Sequence, residues 1–296
     1  MNMKMKNPAS AIKSYITAIA TFFARAASGV AKVAISIWKF LKKIAQKSVP
    51  FGKSTWILFT LILIITVAQL TLLWRPIVGI YFNAAALAVL VGLALWRERI
   101  RQLAIAVAII PVASMVVLSL PQTTNFAQMV VFYDVILILG LIYRFMFTLD
   151  YPLKNTHLSL KEYAFSLALM GVGGEILGVI GYLMLRHHYV FGTNPLPMVA
   201  ATVAVFGLAE ETLFRGLIQQ RATQVMHPAV AAILSTVLFT LVSINTMTYL
   251  APLFSLLLGA VLAFTYYKKQ NLVLTSTINI LAKLTYIGLM ASFVFR

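Results

Sequence analysis

From about residue 55 onward the chain is a succession of apolar runs of roughly 20 residues, the length a helix needs to cross a bilayer. Windows of this kind fall at 56–74, 77–96, 103–120, 126–147, 163–185, 198–219, 229–246, 250–267 and 272–295. Arg75-Pro76 makes a tight turn between the first two, and Pro111 removes one helical hydrogen bond inside the third. Short strand-like alternation is absent, which argues against a β-barrel. The pattern predicts an all-α, polytopic transmembrane helical bundle of eight to nine spans. Trp56, Trp74, Trp96 and Tyr267 sit at predicted span ends as interfacial anchors. Gly171, Gly173, Gly174, Gly178 and Gly181 crowd the fifth window and predict a close helix–helix contact.

The first 54 residues follow a different rule. Lys4, Lys6, Lys13, Arg25, Lys32, Lys39, Lys42, Lys43, Lys47 and Lys53 alternate with Ile12, Tyr15, Ile16, Phe22, Phe23, Trp38 and Phe40, and the first acidic residue of the chain is Glu98. A basic amphipathic arm suits an anionic membrane surface. The domain expectation is therefore a membrane-surface arm at 1–54 and a transmembrane domain at 55–296. The apolar run 15–24 is too short to span. An acid-free start with serines and lysines also suits an organelle transit segment, so a second location stays open beside the cell membrane.

Composition agrees with the pattern. Hydrophobic residues make up 61% and charged residues 10%, with a mean hydropathy of +0.93. The net charge is +17, but the basic residues interleave with apolar ones, so nucleic acid is not the implied partner. The expected partners are anionic lipid headgroups and membrane proteins or peptides. Arg97, Arg99 and Arg101, then Lys154 and Lys161, then Arg221, then Lys268 and Lys269 fall in alternate connectors. The positive-inside rule puts those connectors and the N-terminus in the cytoplasm. With no cysteine, disulfides and thiolate chemistry are excluded.

Against this apolar background, ionisable residues within spans stand out, because each is costly unless paired or hydrated. They are Asp134, Arg144, Glu175, Glu210, Glu211, Arg215 and Lys283. Glu210 and Glu211 are neighbours among only seven acidic residues, and both cannot easily stay ionised at close range unless a proton or a cation intervenes. Glu211 and Arg215 are four residues apart, on one helix face, and are expected to pair. Glu210 points about 100° away, toward a cavity, where it can act as a general base on water or simply be held neutral. Asp134 and Glu175 are expected to pair with Arg144 or Lys283 across helices. His157, His187, His188 and His227 read as loop residues.

Glu210-Glu211-x-x-x-Arg215 resembles the first motif of the CAAX protease and bacteriocin-processing (CPBP, or Abi) family of intramembrane peptidases, and 198–295 is the region that resembles it. The family's second motif, Phe-x-x-x-His, corresponds to Phe239 and Ser243; its third, His-x-x-x-Asn, to Asn279 and Lys283. The resemblance implies a membrane endopeptidase with Glu210, Glu211, Arg215, Ser243 and Asn279 as the catalytic set. Family members are implied to position water through histidines, with or without a divalent metal, and both histidine positions are replaced here. Hydroxyl and amide groups are poor zinc ligands, so no cofactor or metal is expected. Lys283 brings a cation that can neutralise one glutamate. Three functions remain open at this level: a peptidase with an altered site, a pseudo-peptidase that binds membrane proteins as a scaffold or immunity factor, and a small transporter with Asp134, Glu175 and Glu210 as a proton relay.

Overall fold

The computed structural model describes residues 53–74, 76–120, 125–147, 160–185, 195–243 and 250–294. Residues 1–52 of the basic arm, His157, His187 and His188 lie outside the described residues, and the last two residues of the expected arm open the first helix. Every described element is helical, as the apolar windows predict. We number them α1 (Lys53–Trp74), α2 (Pro76–Trp96), α3 (Glu98–Ser119), α4 (Asn125–Met146), α5 (Leu160–Leu185), α6 (Leu196–Glu211), α7 (Gln220–Val225), α8 (Pro228–Ser243), α9 (Leu250–Lys269) and α10 (Leu272–Val294). A π-helical segment, Thr212–Gln219, joins α6 to α7 as one rod, Leu196–Val225.

Seven helices are long and apolar enough to cross a membrane. The remaining two expected spans are helices too, but their apolar runs among the described residues are shorter, Thr60–Leu72 and Pro228–Val242. At 16 residues α8 is about 24 Å long, less than the ~30 Å hydrocarbon thickness. It can be short because it is enclosed by protein: none of its described side chains is exposed between Ala229 and Val242. These helices make the chain a multi-pass membrane protein.

Local chemistry explains the helix boundaries. Pro228 occupies the first turn of α8, where its missing N–H costs nothing, and His227 Nδ1 accepts the Ala229 N–H at 3.2 Å. His227 is thus a helix cap rather than a plain loop residue. Gln270 ends α9 in the left-handed region (φ 47°), and its N–H bonds to Tyr266 O at 2.7 Å. Asn271 Oδ1 then accepts the Leu274 N–H at 3.2 Å and caps α10. Pro111 lies within an uninterrupted α3, buried against the core.

The glycines of α5 do what their spacing predicts. A Cβ at Gly174 would stand 2.7 Å from Ile278 O, and one at Gly178 2.5 Å from Ala282 O, so the backbones of α5 and α10 are nearly in contact. At Gly181 the obstacle is the Phe254 ring of α9, 2.7 Å away. Gly173, on another side of the helix, faces open space. Since lipid is as apolar as leucine, this close packing, rather than hydrophobic burial, holds α10 in register. On the other side of the bundle, Gln69 of α1 donates to Ser114 of α3 at 3.2 Å, and Asn83 of α2 donates to Gly79 O at 2.8 Å, with all three polar side chains buried.

Arg221 departs from expectation. It lies in α7, buried, with its guanidinium 5.8 Å from the Tyr143 ring and Nη2 3.5 Å from Phe147 O, instead of standing in a solvated connector. The apolar stem and flat head of arginine allow such packing at a membrane boundary.

Candidate functional site

Glu210 and Glu211 end α6 about halfway along the rod Leu196–Val225, immediately before the π-helical turn. π-helical turns, with one residue more per turn, are unusual and tend to sit at functional sites. Glu211 and Arg215 are both fully buried and pair at 3.1 Å, the contact that their spacing predicts. Arg215 is held from three further directions. Its Nη2 donates to Gly259 O at 3.0 Å, and its guanidinium lies 4.7 Å from the Phe239 ring centroid and 6.0 Å from that of Phe214. Those two rings meet edge-on at 5.3 Å. The π face of Phe239 therefore stabilises a buried cation. Gly259 belongs to the same construction, because a Cβ there would stand 2.9 Å from Phe239. One turn on, Gln219 repeats the pattern of Arg215 by donating to Ala263 O at 3.0 Å.

Glu210 is tied more tightly than its helix position suggests. Its Oε1 accepts from Lys283 Nζ at 2.7 Å and from Tyr133 OH at 2.6 Å, and its Oε2 accepts from Asn279 Nδ2 at 2.9 Å. The expectation of a Glu210 facing an open cavity is corrected: its side chain is 5% exposed and bonded on both oxygens. Asn279 also donates to Glu211 Oε1 at 3.1 Å, so one amide nitrogen spans both carboxylates. Its Oδ1 is buried with no hydrogen-bond partner. Lys283 also lies 5.7 Å from the Tyr133 ring, which stacks on Phe206 at 4.3 Å.

The structure thus brings Glu210, Glu211, Arg215 and Asn279 together and adds Lys283 and Tyr133. Tyr133 was not foreseen; its signal was a tyrosine well inside a span rather than at an interface. Ser243 is the last residue of α8, one turn beyond Phe239 on the same helix face, and its side chain lies outside the described residues. Asp134, Arg144 and Glu175 are exposed and make no ion pair among the described residues. The expected pairing of Asp134 or Glu175 with Lys283 is therefore wrong, because Glu210 has taken that lysine.

Chemically the centre is two ion pairs, Lys283–Glu210 and Glu211–Arg215, whose carboxylates are bridged by Asn279. Among the described residues no group of three histidine, cysteine or carboxylate side chains converges on a metal-sized space. The two carboxylates that remain each already hold a cation, and a divalent metal would have to displace Lys283 or Arg215. The donor set does not fit a zinc-like ion.

No curated protein and no solved structure matches the chain. The family described as type II CAAX prenyl endopeptidase Rce1-like matches residues 192–285, which begin before α6 and end within α10. Residues 192–285, which contain Glu210 and Glu211, are similar to that family, and the protein that carries them is a multi-pass membrane protein.

Proposed function

We propose that the protein is a pseudo-peptidase of the cell membrane: it keeps the core of an intramembrane endopeptidase and uses it to bind membrane-embedded segments of other proteins without cutting them. The observation that carries this reading is the bond from Lys283 Nζ to Glu210 Oε1 at 2.7 Å. A general base needs a free lone pair aimed at a water. Here three of the roughly four acceptor sites are occupied, two on Oε1 and one on Oε2, and the ammonium that cancels the charge lowers the basicity of what is left. Among the described residues, no imidazole stands ready to take the proton instead.

The alternate basic connectors support an N-terminus on the cytoplasmic side. Among the described residues neither Asp134 nor Glu175 bonds to the Glu210 cluster, which supports the peptidase-like reading over a proton relay. One observation favours an altered-site peptidase: Asn279 Oδ1, buried and unpartnered, can accept from a water held beside the glutamates.

The test is proteolysis and photocrosslinking with the purified full chain in lipid vesicles, using transmembrane peptides as substrates. The expected result is crosslinking without cleavage. Cleavage by the wild type that disappears in Glu210→Gln would overturn the reading.

A further inference from the structure

Asp134 and Glu175 are the two carboxylates in the central part of a span that the site does not use. Asp134 lies near the middle of the span Phe126–Met146, and Glu175 in the central part of Lys161–Leu185. Both are exposed on the bundle surface. Their neighbours on the same faces are exposed and apolar: Ile138, Leu141 and Phe145 around Asp134, and Val172 and Leu183 around Glu175. These faces meet hydrocarbon, where a carboxylate is costly unless a cation or a proton covers it. The chain's own mid-depth cations do not cover them, because Arg215 and Lys283 are bonded to Glu211 and Glu210. Arg144, ten residues beyond Asp134 and in the last turn of α4, is about 15 Å away along the helix axis. A second copy in the same orientation brings Arg215 and Lys283 already bonded and Arg144 at the end of its own α4, about 15 Å along the axis from the level of Asp134, so self-association supplies no described cation at that depth. The contact of α5 with α10 through Gly174 and Gly178 fixes which face α5 turns outward.

We infer that α4 and α5 dock a partner membrane protein whose spans carry lysine or arginine at mid-membrane depth, paired with Asp134 and Glu175. The apolar stripes supply van der Waals contact, and the buried charge pair fixes depth and rotation. This inference is independent of whether the Glu210 centre cuts, because the two acids lie outside it.

The chain has no cysteine, so Val172→Cys gives a single labelling site beside Glu175. The full-length V172C protein in phosphatidylcholine vesicles is titrated, by energy transfer, with a synthetic Leu/Ala transmembrane helix bearing one central lysine. The same helix with a central leucine is the comparison. The lysine helix is expected to bind about tenfold more tightly, and the preference to vanish in Asp134→Asn/Glu175→Gln. Removing a charge from a lipid-facing position spares the core, and each single variant is expected to lose part of the preference. Equal binding of the two helices, or a preference that survives the double variant, overturns the inference. So does crosslinking of the V172C thiol to a second copy, or to residues 1–52 of its own chain, in place of the lysine helix.

Discussion

Lys283 Nζ sits 2.7 Å from Glu210 Oε1, at the position where the third motif of the resembling family carries an asparagine. The lysine on α10 makes Glu210 half of an ion pair. Removing a single partner of such a pair costs more than the pair contributes, because it strands the other charge. Lys283→Met is expected to lower the stability of the protein in detergent micelles by about 2 kcal/mol, less than for a fully enclosed pair since the lysine is 24% exposed. Lys283→Met/Glu210→Gln is expected to recover most of that loss. Thermal melts of the three variants form a double-mutant cycle, and additive losses would show that the pair is not coupled.

The Arg215 site tests the geometry of the guanidinium rather than its charge. Arg215→Lys keeps the cation near Glu211 but cannot also reach Gly259 O and stack over Phe239. A loss of about 2 kcal/mol is expected for the lysine variant, and about 4 kcal/mol for Arg215→Ala, which leaves Glu211 buried without a counter-charge. If lysine substituted without cost in a thermal melt, the role given to Phe239 and Gly259 would be mistaken.

The α5–α10 contact has a built-in control. Gly178→Ala drives a methyl group onto Ala282 O and is expected to push α10 outward, lowering stability by roughly 2 kcal/mol. Gly173→Ala enters open space on the same helix and is expected to be neutral or slightly stabilising. Because α10 carries Asn279 and Lys283, spin labels on α6 and α10 are expected to move apart in Gly178→Ala alone.

Placing histidines at the two positions where the resemblance expects them separates the two features on which the proposed lack of cleavage rests. Ser243→His/Asn279→His supplies imidazoles but leaves Glu210 bonded to Lys283. Adding Lys283→Asn frees that carboxylate. Zinc retained after purification, measured by elemental analysis, is expected near stoichiometry only in the triple variant. Equal retention by the double variant would mean that Lys283 does not block the glutamates.

How much of this was legible beforehand depends on how far apart the partners are along the chain. The Glu211–Arg215 pair is a helix-period statement, and it appeared as written. The glycine face of α5 was legible for the same reason, although its partner, the backbone of α10, was not. Glu210–Lys283 joins residues 73 apart, so the sequence could offer Lys283 as a neutralising cation without saying which carboxylate it would choose. That choice left Asp134 and Glu175 exposed against expectation. Tyr133 was overlooked because aromatic residues in membrane spans usually read as anchors, while its value lies in the hydroxyl that reaches Glu210. The π-helical turn has no signature in hydropathy, since an α-helix and a π-helix need the same apolar content. Arg221 was assigned to a connector by its charge, and packing against Tyr143 overrode that assignment.

The four charges around Asn279 sum to zero, and that has an electrical meaning. A lone charge moved across a membrane gains or loses about 2.3 kcal/mol per 100 mV. Glu210 and Glu211 are each matched within about 3 Å by a cation, so the transmembrane voltage exerts almost no net force on the centre. The fold has made its costliest residues blind to membrane potential, and only a change that removes Lys283 or Arg215 would couple them to it.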